Sequence, residues 1–231
     1  SPPSADYVMG TDDLGRDCFS AFLYGARISL LIGASAAAAS ATIGVLVGSL
    51  AGYFGHRVDD LLMRLTELFQ ILPRLFLALV IIAIFGTGVI KIIVVLGVLS
   101  WPIIARTVRA EFLSLKERQF VEAARAAGLG RLQIIFGEIL PNALPPVIVN
   151  ASLQVGQMIL LEAGLSFLGL GDPSVVSWGM LLYNAQRFIM DAWWLAAFPG
   201  LGIFLLVLGV NLAGDGLNDA LNPRLGQGRP R

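Results

Sequence analysis

Residues 28–55 contain no Asp, Glu, Lys or Arg, and the same holds for 75–90, 92–105, 139–161 and 192–214. A membrane helix needs such runs, because about 30 Å of hydrocarbon crossed at 1.5 Å per residue takes roughly 20 apolar residues. The first, fourth and fifth runs meet that length. The second and third are extended by 65–74 and by Lys91, whose charged groups reach toward the headgroups. Five spans are therefore predicted, at roughly 26–52, 65–86, 89–109, 143–168 and 197–216. The chain reads as an all-α integral membrane protein, a polytopic helical bundle forming one transmembrane domain over 1–231. Of its 231 residues 56% are hydrophobic and only 14% charged, against about 25% charged in soluble domains. That leaves too little polar surface to cover five buried helices in water.

The other bulk properties remove whole classes of function. A formal net charge of zero argues against electrostatic capture of nucleic acid. Cys18 is the only cysteine and His56 the only histidine, so an internal disulfide is impossible and a Cys/His metal site implausible. Cys18 reads as a small apolar residue. No phosphate-binding G-x-x-x-x-G-K-[ST] loop, G-x-S-x-G elbow or H-E-x-x-H pair occurs, so no cofactor is expected on this chain and it does not read as an enzyme.

Positive charge sets the expected orientation. Arg57 and Arg64 follow the first span. Arg106, Arg109, Lys116, Arg118, Arg125 and Arg131 lie around the loop between the third and fourth, and Arg224, Arg229 and Arg231 end the chain. The opposite side holds Arg16, Arg27, Lys91 and Arg187. The central loop and the C-terminus are thus expected in the cytoplasm and the N-terminus outside. Residues 1–17 are polar and lack the apolar core of a signal peptide, so a further upstream span is expected. Within the first span Gly44, Gly48 and Gly52 recur every fourth residue on one face, a pattern that lets a neighbouring helix approach closely in lipid.

The segment 111–142 carries the most information. Ser114 and Glu117 have capping-box spacing and predict a helix over 115–127. Gly128 stands where a helix end needs positive φ. A second short helix, 130–138, would carry Leu132, Ile135 and Phe136 on one side and stop at Leu140-Pro141, with Asn142 capping the next span. Physically this is either an amphipathic pair on the lipid surface or a docking element for a cytoplasmic partner.

Elsewhere, Glu162 lies inside the fourth span, where a charge costs at least about 2.5 kcal/mol and so faces the bundle interior. It has three readings: an interior structural partner, a protonated group, or, with Ser166 and Trp178, a path or gate residue. Glu67 and Arg74 are placed two helical turns apart on one face. Asp215 and Asp219 would be solvated or pair with Arg224. The segment 169–196, with Gly169, Gly171 and Pro173 ending the fourth span, is either an interfacial loop or part of an outer gate and docking face. Trp178, Trp193 and Trp194 suit an interfacial belt.

"EAARAAG" at 122–128 with "ILP" at 139–141 resembles the E-A-A loop of bacterial ABC importer permeases, with Ile139 one place later than in the common pattern. "GTDDLGRD" (10–17), "LYGARISL" (23–30), "SWPIIARTVRAEFLSLKERQFVEAARAAG" (100–128), "LLEAGLSFLGLG" (160–171) and "GDGLNDALNPR" (214–224) are similar to the second permease subunit of the dipeptide, oligopeptide and nickel importers. The resemblance implies a type I ABC importer permease in the bacterial cytoplasmic (inner) membrane. It implies four kinds of partner: a second homologous permease, two cytoplasmic ATPases that carry the ATP and Mg, an extracytoplasmic solute-binding protein, and the lipid bilayer. Glu122, Ala123, Ala124, Gly128, Leu132, Leu140 and Pro141 would then couple the chain to the ATPases. Dipeptides, longer peptides and nickel all remain open as solutes. The rival class is a secondary carrier driven by an ion gradient. Such carriers usually show internal repeats, and none is visible here.

Overall fold

Long apolar sequence closes its own backbone hydrogen bonds as helix, which is what lipid demands. The computed structural model describes residues 1–221, and among these the regular structure is all helix, with one isolated bridge between Thr11 and Asp17. Helix α1 runs Cys18–Phe54, α2 His56–Ile71, α3 Arg74–Phe85, α4 Val89–Leu115 and α5 Gln119–Ala126. A short α6, Arg131–Gln133, passes through a π-helical turn, Ile134–Ile139, into α7, Leu140–Leu165. A second π-helical turn, Ser166–Leu170, follows. Then come α8, Trp178–Ala185, and α9, Trp194–Leu221. Four helices, α1, α4, the 131–170 helix and α9, are long and apolar enough to cross a membrane.

The expected second span is present, but broken rather than continuous. It is a bent pair, α2 and α3, meeting at 84°. Leu72 is extended (φ −80°, ψ 133°) because Pro73 follows it and excludes the helical region. Glu67 and Arg74 therefore sit on different helices, and α2 buries only Thr66. The tail arginines 224, 229 and 231, and the pairing of Asp215 or Asp219 with Arg224, lie outside the described residues.

Pro141 does not end a helix either. A proline ring clashes with the carbonyl four residues earlier in an α-helix. Here that carbonyl belongs to Gly137, inside the wider π turn, so the helix continues. Asn142 consequently caps nothing; its amide donates to the Glu138 carbonyl at 2.7 Å.

The core forms around α1 and α4. A Cβ on Gly44 would lie 2.6 Å from Ile104 Cβ, and one on Gly52 2.5 Å from Phe112 Cβ. One on Gly48 would meet the Ala105 carbonyl oxygen. The glycine face predicted from the sequence is thus the contact face with α4. One apolar cluster joins α1, α3, α4 and α7 around Ile32, Ile82, Leu96 and Met158. A second lies at the end of the bundle that carries α5, around Phe112, Val121, Ile135 and Ile139. A third joins α7, α8 and α9 around Ile159, Trp178 and Ile203.

Gly48→Ala is expected to lower the stability of the purified protein by about 1–3 kcal/mol through overpacking. Gly209→Ala, with nothing within 4 Å of the added carbon, should leave it unchanged or raised. Thermal unfolding in detergent measures both; equal melting temperatures for the Gly48 variant and the parent would mean that the α1–α4 contact has slack.

Candidate functional site

The segment between α4 and α7 differs from its sequence reading in detail. α4 continues to Leu115, so Ser114 lies in its last turn and no capping box with Glu117 forms. The chain turns through 116–118 and α5 begins after an extended Arg118 with no side-chain cap. At its other end Gly128 has φ +79°. A Cβ there would meet nothing within 4 Å, so the demand for glycine is purely conformational. The Gly128 amide bonds to the Arg125 carbonyl at 3.0 Å and the Leu129 amide to Ala124 at 3.2 Å, closing the helix end. The Gln133 side-chain oxygen accepts from the Gly130 amide at 3.0 Å, starting the next helix.

The seven candidate coupling residues divide by burial. Ala124 is buried and, with Val121, packs on Ile134, Ile135 and Ile139 and on Phe112 of α4. Leu140 is partly buried against the same cluster. Glu122, Ala123, Gly128, Leu132 and Pro141 are exposed. Ile135 does not share a side with Leu132 and Phe136: it is wholly buried, while Leu132 is 64% and Phe136 40% exposed. The loop therefore presents a small surface of Glu122, Ala123, Leu132 and Phe136 over a packed apolar base. An amphipathic pair with no tertiary attachment would lack that base.

α2 is fastened beside this platform. Arg109 of α4 donates to both oxygens of Asp59, at 2.5 and 2.6 Å. Arg106 donates to Gln70 at 3.1 Å. A bidentate arginine–carboxylate pair fixes orientation as well as distance. Neither contact was visible in the sequence, since no local pattern links residues 36 or 50 positions apart.

At the opposite end of the bundle Glu162 is 1% exposed. Its oxygens accept from the hydroxyls of Ser166 and Ser177, each at 2.8 Å, and of Ser29 at 3.4 Å. Ser177 also caps α8 by accepting from the Met180 amide at 3.3 Å. Ser29 accepts from the Trp178 amide at 3.1 Å. The cluster ties α1, α7 and the start of α8 together. Of the three candidate path or gate residues, Glu162 and Ser166 are joined directly; Trp178 joins them through its backbone. The Trp178 indole donates to the Phe22 carbonyl at 2.9 Å and stacks on the Phe22 ring. Trp178 and Trp194 are buried, at 4% and 8% exposure, so the interfacial-belt reading is corrected for both; only Trp193 of the three is exposed.

The 169–196 segment is likewise held to its neighbours. Gly169, at φ +84°, ends the helix. Asp172 then accepts from the Val89 amide at 3.1 Å, covering the start of α4. The Ser174 hydroxyl and amide hold the Asp172 carboxyl below its usual range. Among the described residues no three His, Cys, Asp or Glu side chains converge as metal ligands.

This arrangement of spans around a braced loop matches known transport proteins. A family model described as "binding-protein-dependent transport system inner membrane component" covers residues 44–227. The chain belongs to that family. It is 44% identical to the di/tripeptide transport system permease protein DppC of Pseudomonas aeruginosa, over 97% of this chain and 77% of the relative. It is 42% identical to the dipeptide transport system permease protein DppC of Alkalihalophilus pseudofirmus, over 96% of this chain and 74% of that one. The fold is shared with a chain of the methionine ABC transporter MetNI in an inward-facing conformation (TM-score 0.72, 23% identity, covering 89% of this chain and 98% of that one). It is shared also with an amino acid ABC transporter (TM-score 0.63, 17% identity, covering 90% and 95%). As a member of this permease family, the chain is a multi-pass membrane transport component with the fold of a type I importer permease, and a secondary carrier is not favoured.

Glu162→Leu is expected to cost about 1–3 kcal/mol by stranding the buried hydroxyls of Ser166 and Ser177, while Glu162→Gln, which keeps an acceptor, should cost less. Thermal unfolding of the purified protein compares the two; identical melting curves for the Leu variant and the parent would remove the cluster's structural role.

Proposed function

We propose that this chain is one of two permease subunits of an ATP-driven importer of small peptides. It would form half of the translocation path and couple to two cytoplasmic ATPases through the loop 111–142. The observation that carries this reading is the platform itself: an exposed surface of Glu122, Ala123, Leu132 and Phe136 on a base packed against α4 and α7. A coupling element must transmit force. Here any push on α5 passes through Val121 and Ala124 into two long core helices, without a flexible link. The exposed carboxylate of Glu122 is free to accept from donors on a docked partner. The names of the relatives support peptides as the solute class, delivered by an extracytoplasmic binding protein as the family's description implies. ATP and Mg would be bound by the ATPases.

The orientation follows from the charges. One end of the bundle carries Arg57, Arg64, Arg106, Arg109, Lys116, Arg118, Arg125 and Arg131, and the other Arg16, Arg27, Lys91 and Arg187. The positive-inside rule assigns the first end, with the coupling loop and the C-terminus, to the bacterial cytoplasm. A cysteine replacing Met190, which is 93% exposed, should react with an impermeant maleimide in intact cells, and one replacing Arg118 should not. The reverse labelling would overturn the orientation.

Gly128→Val forces a β-branched residue into positive φ and should redirect the α6 segment. Glu122→Lys reverses the charge on the exposed surface while leaving the packed base intact. Both variants should insert at near-normal levels and lose about 90% or more of ATP-dependent uptake, the equivalent of about 1.4 kcal/mol. The Gly128 variant should also shed its ATPases on purification. Full ATPase association and normal uptake in both would show that the loop does not couple. Uptake sustained by an ion gradient without ATP would favour a secondary carrier.

A further inference from the structure

Between α3, α4, α7 and α9 lies an open cavity of about 450 Å³, within the roughly 300–1,000 Å³ range of small-ligand sites. Its polar lining consists of Arg74, Asn150, Gln154, Gln157, Asn211 and Asp215. The depth of the cavity is fixed by Gln154, which is 5% exposed. The Gln154 side-chain oxygen accepts from Ser40 near the middle of α1 at 2.9 Å, and its amide donates to the Ser100 carbonyl near the middle of α4 at 3.4 Å. From there the cavity runs toward the end of the bundle that carries the coupling loop, where Arg74 opens α3 and Asp215 lies near the end of α9. Both charges thus face one cavity, yet they form no ion pair with each other. Arg74 is half-buried and Asp215 exposed, so the two charges stand at the mouth of the cavity and Gln154 at its inner end.

We infer that this cavity is the peptide-binding stretch of the translocation path, with Arg74 receiving the peptide's terminal carboxylate and Asp215 its terminal ammonium. The inference rests on the peptide-importer reading above and names the residues that would hold the solute. A small peptide in this cavity has two charged ends and a backbone N–H and C=O to satisfy. Each costs free energy if its water is removed without replacement. Arginine fits a carboxylate bidentately. The carboxamides of Gln157 and Asn211 each offer a donor and an acceptor, the complement of a peptide group, while Gln154 is held by Ser40 and Ser100 and closes the inner end of the cavity. None of these contacts reads a peptide's side chains, which suits a path that must pass many sequences.

The test uses the intact importer in proteoliposomes, with unmodified binding protein and saturating dialanine as the probe. Arg74→Gln and Asp215→Asn should each lower ATP-dependent uptake about tenfold, the loss expected when a charge-assisted hydrogen bond is removed. ATPase stimulation by the peptide-loaded binding protein should stay within about twofold of wild type, because coupling is untouched. Arg74→Lys, which keeps the charge but loses the two-pronged fit, should recover part of the uptake. Should a variant lose its ATPases on purification, Gln157→Leu and Asn211→Leu at the rim take its place, with the same uptake deficit expected. Uptake by the variants within about twofold of wild type overturns the site, as does a parallel fall in uptake and ATPase stimulation in an assembled complex. Absence of ATP-dependent dialanine uptake in the wild type overturns the peptide-importer reading instead, and this inference with it.

Discussion

Bringing two apolar helices together in lipid yields no hydrophobic gain, because the acyl chains they displace are as apolar as leucine. The association of α1 with α4 must therefore come from close packing. Gly44, Gly48 and Gly52 allow it by leaving room for Ile104, the Ala105 carbonyl and Phe112 at backbone distance. With α4 seated there, the remaining positions follow. Phe112 becomes the floor on which α5 and the π-helical turn rest. Arg109, one helical turn before Phe112, can then reach Asp59 and hold α2. Ser40 and Ser100, facing each other across the same seam, fix Gln154 of α7.

Polar groups supply the second constraint, since a membrane interior offers no water to repair an unmade bond. Gln154 and Glu162 show two solutions on one helix. Gln154 is pinned by α1 and α4 at mid-depth. Glu162 takes three serine hydroxyls from α1, the end of the 131–170 helix and the entry to α8. Each makes α7 specific for its neighbours where apolar packing alone would permit sliding. Together they leave α7 with a fixed rotational setting, and that setting turns Asn150 and Gln157 toward the cavity shared with Arg74 and Asp215. The same helix follows the π turn that packs against α5 and is succeeded by a second π turn before α8.

Much of this architecture is legible in the amino-acid sequence alone. Hydropathy and helical period are local properties, and they locate the spans, the close-packing face of α1 and the turn at Gly128. The spaced E-A-A pattern points to the proposed coupling loop, within which the fold exposes Glu122 and Ala123 and buries Ala124. The departures from expectation come partly from packing and partly from backbone sterics. Ser114 and Glu117 have capping-box spacing, but α4 runs through Ser114 because its apolar face continues to pack as far as Phe112. Pro73 carries a readable signal for the break between α2 and α3, whereas Pro141 carries a misleading one, absorbed by the π turn before it.

The amino-acid sequence by itself determined that this chain crosses a membrane several times, which end carries the positive charge, and which residues could form a coupling turn. These depend on composition and spacing within one or two helical turns. Only the tertiary structure decided that Trp178 is a buried strut meeting Ser29 across 149 residues, that Glu162 has serine partners, and that Arg74 and Asp215 face the same cavity. Those pairings are set by the rotation and register of one packed helix against another, and a sequence period fixes the face of a helix without naming what that face will meet.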